Sequence, residues 1–212
     1  MALAELLDRS RGFVLDSQLG EDECRAAVCA GDLQVHDVLG DVTVYRAVNV
    51  DAELQVEDYW PTVMALSPTA FPEPGTSPGF ILADATALSI RDCGVLLPEN
   101  IQVLVDPDHL ASVSTVPGTS VTTGLFVDTD WSWEYGIPVM TALCAIRRLA
   151  DNPGVEPAWL AEAIGDAYDN RLASADALAA AVYQRALSWG YRDGYTLIDS
   201  LAPGIVATTT AV

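Results

Sequence analysis

Apolar and polar positions divide the chain into a front section of short elements and a back section that is largely helical. Residues 2–8 set Leu3, Leu6 and Leu7 on one face of a short helix. Gly12-Phe-Val-Leu15 leads into Asp16-Ser17, whose short polar side chains suit a helix N-cap. Residues 21–30 follow as a helix closed by Gly31, because glycine accepts the left-handed backbone of a helix end. Two β runs, 33–38 and 42–48, are joined by Leu39-Gly40-Asp41, which is hairpin-turn chemistry. Helices followed by a hairpin are the order of a winged helix-turn-helix.

Residues 49–79 lose this regularity. An acidic stretch, 51–60, ends at Trp60-Pro61, and 69–79 hold three prolines and two glycines, the mark of a linker. Beyond it the pattern predicts a helix over 81–93 stopped at Gly94, then β runs over 101–105, 121–127 and 131–135, the last ended by Gly136-Ile-Pro-Val139. Helices are expected over 141–150, 157–170, 174–189 and 195–201. The expected fold class is therefore α+β. A winged helix-turn-helix-like unit (1–48) and an irregular connector (49–79) precede a mixed α/β domain (80–202) that ends in a helical bundle, with a tail at 203–212.

Charge narrows the partners. The chain has no lysine, and ten arginines face 30 acidic residues, for a net charge of −20. Such a field repels phosphate backbones and anionic lipid headgroups and attracts basic proteins and cations. A GC-rich genome or a salt-rich cytoplasm would yield a similar composition. Half of the residues are hydrophobic and 19% are charged, which is a folding chain despite its charge. No apolar run reaches the roughly 18 residues of a membrane span. The first residues lack the basic segment of a signal peptide. A cytoplasmic or particle-associated protein is expected. Cys24, Cys29, Cys93 and Cys144 follow no framework spacing and read as reduced, buried thiols.

Candidate chemistry is sparse. Asp166 and Asp169 are three apart on the helix that carries Trp159, so they share a face, either as a carboxylate pair or as a solvated surface. Asp106-Pro-Asp-His109 follows a predicted strand and is either a turn or part of a cation site. His36 reads as a surface histidine of the hairpin. Trp131 and Trp133 alternate onto one face of a strand, as a core or interface edge. No glycine-rich phosphate loop and no Ser or Cys nucleophile motif with a partnered histidine occurs. No catalytic, cofactor or metal residues are assigned, and an enzyme is not expected.

Three stretches carry a family resemblance. The first is Glu5-Leu-Leu, Gly12-Phe-Val, Ala30-Gly-Asp-Leu33 and Gly40-Asp-Val-Thr-Val-Tyr-Arg46. The second is Ala83-Asp-Ala-Thr-Ala-Leu-Ser-Ile-Arg91. The third runs Gly136-Ile-Pro-Val-Met-Thr141, Leu149-Ala-Asp151, the helix from Trp159 to Ala167, and Ser174-Ala-Asp-Ala-Leu178. Together they resemble the AbiEi family of type IV antitoxins. That resemblance implies an N-terminal winged helix-turn-helix that binds the operon promoter. It also implies a C-terminal α/β domain linked to neutralising a nucleotidyltransferase-like toxin. Asp84 and Arg91 stand where the family carries histidines. Cys144 and Arg148 stand where it carries an arginine and an aspartate four residues on. The helix matching the DNA-reading one opens Glu21-Asp22-Glu23, with Arg25 nearby, and the wing offers His36 and Arg46. Three carboxylates are a poor reader of a duplex, although acids do stabilise a helix N-terminus.

The expected function is a non-enzymatic protein-binding module on an AbiEi-like scaffold, with DNA binding weakened or lost. Its partner would be a toxin or assembly subunit with a basic surface, and the candidate partner surface is Trp131, Trp133, Trp159, Asp166 and Asp169. Three alternatives stand beside it: a repressor whose arginines gather on one face, an acidic accessory subunit of a virion or other particle, and a DNA mimic.

Overall fold

The first helix, α1 (Leu3–Arg9), buries Leu6 and runs into a short strand, β1 (Phe13–Leu15), whose three residues are all buried. The computed structural model describes residues 3–50, 54–68 and 75–206. It is an α+β chain of two compact units. One comprises residues 1–79 with 108–119 and 135–137; the other holds the remainder.

In the first unit, α2 (Asp16–Leu19) and α3 (Glu21–Ala30) follow β1, and β2 (Leu33–Leu39) and β3 (Val42–Ala47) form the hairpin. The three strands form an antiparallel sheet in the order β1-β3-β2. Leu6, Val14, Ala27, Leu33 and Ala47 form its buried cluster, with Leu3, Leu7, Leu19 and Tyr45 packed around them. Gly31 closes α3 at φ 82°, where its N–H reaches the Val28 carbonyl and that of Asp32 reaches Ala27. Asp16 is not a cap; it is the first residue of α2, and its carboxylate accepts the Thr43 N–H at 3.0 Å, tying the helix to β3.

The irregular connector contains a helix. α4 (Leu54–Leu66) belongs to the first unit and passes through Pro61. An internal proline removes a hydrogen bond and costs about 3 kcal/mol. Burial of Val56, Trp60, Val63, Met64, Ala65 and Leu66 offsets it. The indole N–H of Trp60 donates to the Ser10 carbonyl at 2.8 Å. From Trp60 to Leu66 every residue is buried, so no polar stripe marks the helix in the sequence. Residues 51–53 and 69–74, from the acidic and proline-rich stretches, lie outside the described residues.

The second unit is built on a five-stranded mixed sheet in the order β6-β5-β4-β8-β7. These strands are β4 (Phe80–Leu82), β5 (Ile101–Val105), β6 (Thr119–Thr123), β7 (Trp131–Glu134) and β8 (Ile137–Met140). β4 runs antiparallel to β5 and parallel to β8, with Leu82 opposite Val139. The predicted helix over 81–93 is therefore a buried strand followed by α5 (Asp84–Ile90). Phe80-Ile-Leu82 is a continuous apolar run that periodicity alone cannot assign, and pairing on both sides decides it. Gly136 does lie in the turn that ends β7, but Ile137-Pro-Val139 opens a further strand, β8, all four residues of which are buried. The predicted β run over 121–127 ends at Thr123.

Helices α6 (Ala142–Asp151), α7 (Pro157–Asp169), α8 (Ala175–Ala181), α9 (Tyr183–Ser188) and α10 (Gly194–Leu201) complete this unit. The helix expected over 174–189 divides at Val182, and the side chains of Thr141, Ser174 and Asp193 cap α6, α8 and α10. Residues 203–206 of the expected tail are turn, and 207–212 lie outside the described residues. Among the described residues no helix is long and apolar enough to cross a membrane.

Candidate functional site

α3 presents Glu21, Asp22, Glu23, Arg25, Ala26, Val28, Cys29 and Ala30 to solvent, while Cys24 and Ala27 face the core. The guanidinium of Arg25 donates to Glu21 at 2.7 Å and Asp22 at 3.3 Å, one turn back on its own helix. The surface of this helix is therefore three carboxylates, one arginine held by two of them, and small side chains. Cys29 is exposed, contrary to its expected burial; Cys24, Cys93 and Cys144 are buried, and all four are free thiols.

The hairpin residues also engage their own unit. Arg46 pairs with Glu57 at 2.6 Å and donates to the Val50 carbonyl at 2.8 Å. His36 keeps part of its surface exposed but is also packed inward. It falls at a bulge between Val35 and Asp37, is half-buried, and sets its ring edge-on to Phe13 with centroids 5.0 Å apart.

In the second unit, Trp131 and Trp133 meet edge to face at 5.4 Å on β7, an edge strand of the sheet. Asp166 and Asp169 do not converge on a common ligand. The Asp166 carboxylate accepts the Gly94 N–H at 2.7 Å, whereas Asp169 is exposed. Asp166 and burial together push the Cys93 thiol up to about 11, burial contributing most. Pro107–Ser112 is a 3-10 turn whose residues from Asp108 onward, His109 included, belong to the first unit. Among the described residues no three His, Cys, Asp or Glu side chains cluster as metal ligands would.

A cleft of about 540 Å³ within this unit lies among α5, α6, α7 and the segment carrying Leu96 and Pro98. Trp159 and Val155 line it together with Asp84, Arg148, Asp151 and Asn152. Arg148 reaches Asp84 through two donors, Nε to Oδ1 and Nη2 to Oδ2, the latter at 3.1 Å. That pairing holds the Arg148 pKa above its ordinary value, against partial burial. Asp84 opens α5 with φ +51°, a left-handed conformation that aspartate tolerates better than most residues. The α5 start is capped from β5 instead, the Gln102 side chain accepting the Ala85 N–H at 2.7 Å.

Of the expected partner residues, only Trp159 lines this cleft. Sequence reasoning did not single out Asp84 and Arg148 as partners, although both are positions at which the chain departs from the AbiEi pattern. Arg91, a third such position, is nearly buried. It donates to Glu134 at 2.5 Å, to the Ser132 hydroxyl at 2.8 Å and to the Met140 and Val139 carbonyls, tying the end of α5 to β7 and β8.

No family model and no curated protein sequence matches the chain. Its structure is similar to the crystal structure of the Rv2827c protein from Mycobacterium tuberculosis. The TM-score is 0.50 and the identity 18%, over 97% of this chain and 79% of that one. At that identity the likeness speaks for the fold alone, and it agrees with the α+β class.

Proposed function

We propose that this chain is a non-enzymatic protein-binding module on an AbiEi-like antitoxin scaffold, with duplex binding weakened or lost. Its partner is a toxin or an assembly subunit that carries a basic surface. The order of α1, β1, α2, α3, β2 and β3, with the sheet order β1-β3-β2, supports a winged helix in which α3 occupies the recognition position. The observation that carries the loss of DNA binding is the state of its two candidate arginines. Arg25 is held by Glu21 and Asp22, and Arg46 by Glu57. Duplex binding is driven by cations that release counterions from phosphate, and this surface offers carboxylates in their place.

Phosphate-driven affinity is greatest at low salt, so the test is a mobility-shift assay there with the duplex upstream of the gene. No shift is expected up to about 10 µM protein, within the range where non-specific DNA binders are already bound. A shifted complex at lower concentration overturns the loss of DNA binding. Co-expression with the product of the adjacent reading frame, followed by size exclusion, tests the partner, which is expected to co-elute at low salt and to separate as salt rises.

A further inference from the structure

The longest stretch of this acidic chain without a charged side chain is residues 110–127. It contains β6 (Thr119–Thr123), an edge strand of the five-stranded sheet. We infer that β6 pairs edge to edge with the β6 of a second copy of this chain, giving a two-fold dimer. This surface is separate from the one proposed for a basic partner. Among the described residues no strand lies beyond β6, and Ser120, Val121, Thr122 and Thr123 are exposed. The Gly124 N–H donates to the Val105 carbonyl at 3.0 Å, on the β5 side. Backbone groups alternate between the two sides of a strand, so those of Val121 and Thr123 point away from β5, to the open edge.

Such an edge is a template for another strand, and proteins that avoid the pairing place a charge or a proline on it. Thr119-Ser-Val-Thr-Thr123 carries neither. Charge also selects the occupant. A basic protein finds no carboxylate on this strand. A second copy brings its own net charge of −20 and approaches at least electrostatic cost where neither surface is charged. The strand is self-complementary as well. Antiparallel pairing about Val121 sets Val121 against Val121 and Thr119 against Thr123, cross-strand pairs of β-branched residues that favour a sheet. Val121, Leu125 and Val127 are 42%, 82% and 61% exposed and add apolar surface at the same edge. The contact is isologous, so it closes at two copies. The opposite edge, β7, is half-buried and carries Glu134, so it offers no equivalent strand on which a fibre could grow.

The test is sedimentation velocity of the full chain across a concentration series, with amide hydrogen exchange at its two ends. A dimer is expected with a Kd on the order of 10–100 µM, as a contact below the standard interface size allows. It should strengthen as salt rises from about 0.05 to about 0.5 M, because salt screens the repulsion between two acidic copies. That sign is opposite to the one expected for the basic partner. The Val121 and Thr123 amides should exchange more slowly at high protein concentration than at low. Val121→Asp sets two carboxylates face to face across the two-fold axis and should weaken the dimer about tenfold or more. Val121→Thr, which is uncharged and β-branched, should keep it within about twofold. Both variants should melt with the parent at a dilution where the chain is monomeric. A chain that stays monomeric at high concentration and high salt overturns the inference. So does a dimer that Val121→Asp leaves intact, or one that adds no protection at Val121 and Thr123. Protection that appears only on mixing with the product of the adjacent reading frame gives the edge to another protein and overturns self-pairing.

Discussion

Single residues set the strictest constraints in the second unit. A Cβ at Gly194 would overlap the Ala179 carbonyl, because α10 starts against α8 there. Gly194→Ala should destabilise the fold by about 2–3 kcal/mol, read by urea denaturation. Gly165, inside α7, has open space around its Cβ position and no left-handed backbone. Gly165→Ala should therefore stabilise by about 0.5–1 kcal/mol in the same assay. Asp193, the α10 cap, is held down to about 2 from 3.8 by the Thr196 hydroxyl, then the Thr196 N–H and the Arg192 guanidinium. Its folded value lies below its unfolded one, so the ionised carboxylate stabilises above 3.8 and loses that effect as pH falls towards 2. Asp193→Asn, which keeps an acceptor, should melt lower than the wild type at pH 7, and the gap should close as the pH falls through that window. Thiol chemistry separates the cysteines in the same way. Burial raises Cys24, Cys93 and Cys144, whereas Cys29 is exposed on α3. One fast-reacting thiol is expected with a disulfide reagent at pH 8, and Cys29→Ser should remove it.

At the level of elements, the predicted helices α3, α6, α7 and α10 and the hairpin β2-β3 agree with the structure within a few residues. Each carries a local signal, such as Gly31 after α3, Pro157 at the start of α7 or Gly40 in the hairpin turn. α4 and β4 were missed for one shared reason. β4 and the stretch Trp60–Leu66 of α4 are buried throughout, so neither shows a polar stripe, and packing partners distant in sequence assign them. Arg91 shows how elements distant in sequence are joined, with one guanidinium at the end of α5 reaching Ser132 and Glu134 of β7 and two carbonyls of β8. Arg91→Met should destabilise by about 3 kcal/mol, since Glu134 and the carbonyls lose their donor. Arg91→Lys should recover only part of that in the same denaturation series, because an ammonium cannot reproduce the fork.

For the whole molecule, the proposed choice of partners rests on charge. The field was legible from the absence of lysine alone, and the α3 carboxylates were legible as a run of three acids. The pairing of Arg25 with that run, and of Arg46 with Glu57, was not. Replacing Glu21, Asp22 and Glu23 by lysine removes the Arg25 pairings and sets three cations on the same helix end. If the first unit keeps winged-helix geometry, this variant should shift duplex DNA at low salt where the parent does not. Its binding should fall with salt at a slope of about −0.9 for each phosphate contact made. A variant that stays folded and shifts nothing would count against α3 as a former recognition helix.

The sequence by itself determined the α+β class, the order of most elements, the acidic field and the poverty of catalytic motifs. These depend on composition and on neighbours three or four residues apart, which a single chain displays directly. The tertiary structure decided which buried apolar runs became strand or helix. It also turned Asp84 and Arg148, 64 positions apart, into one ion pair in a cleft. Contacts across such separations follow from how elements pack, and no local pattern encodes them.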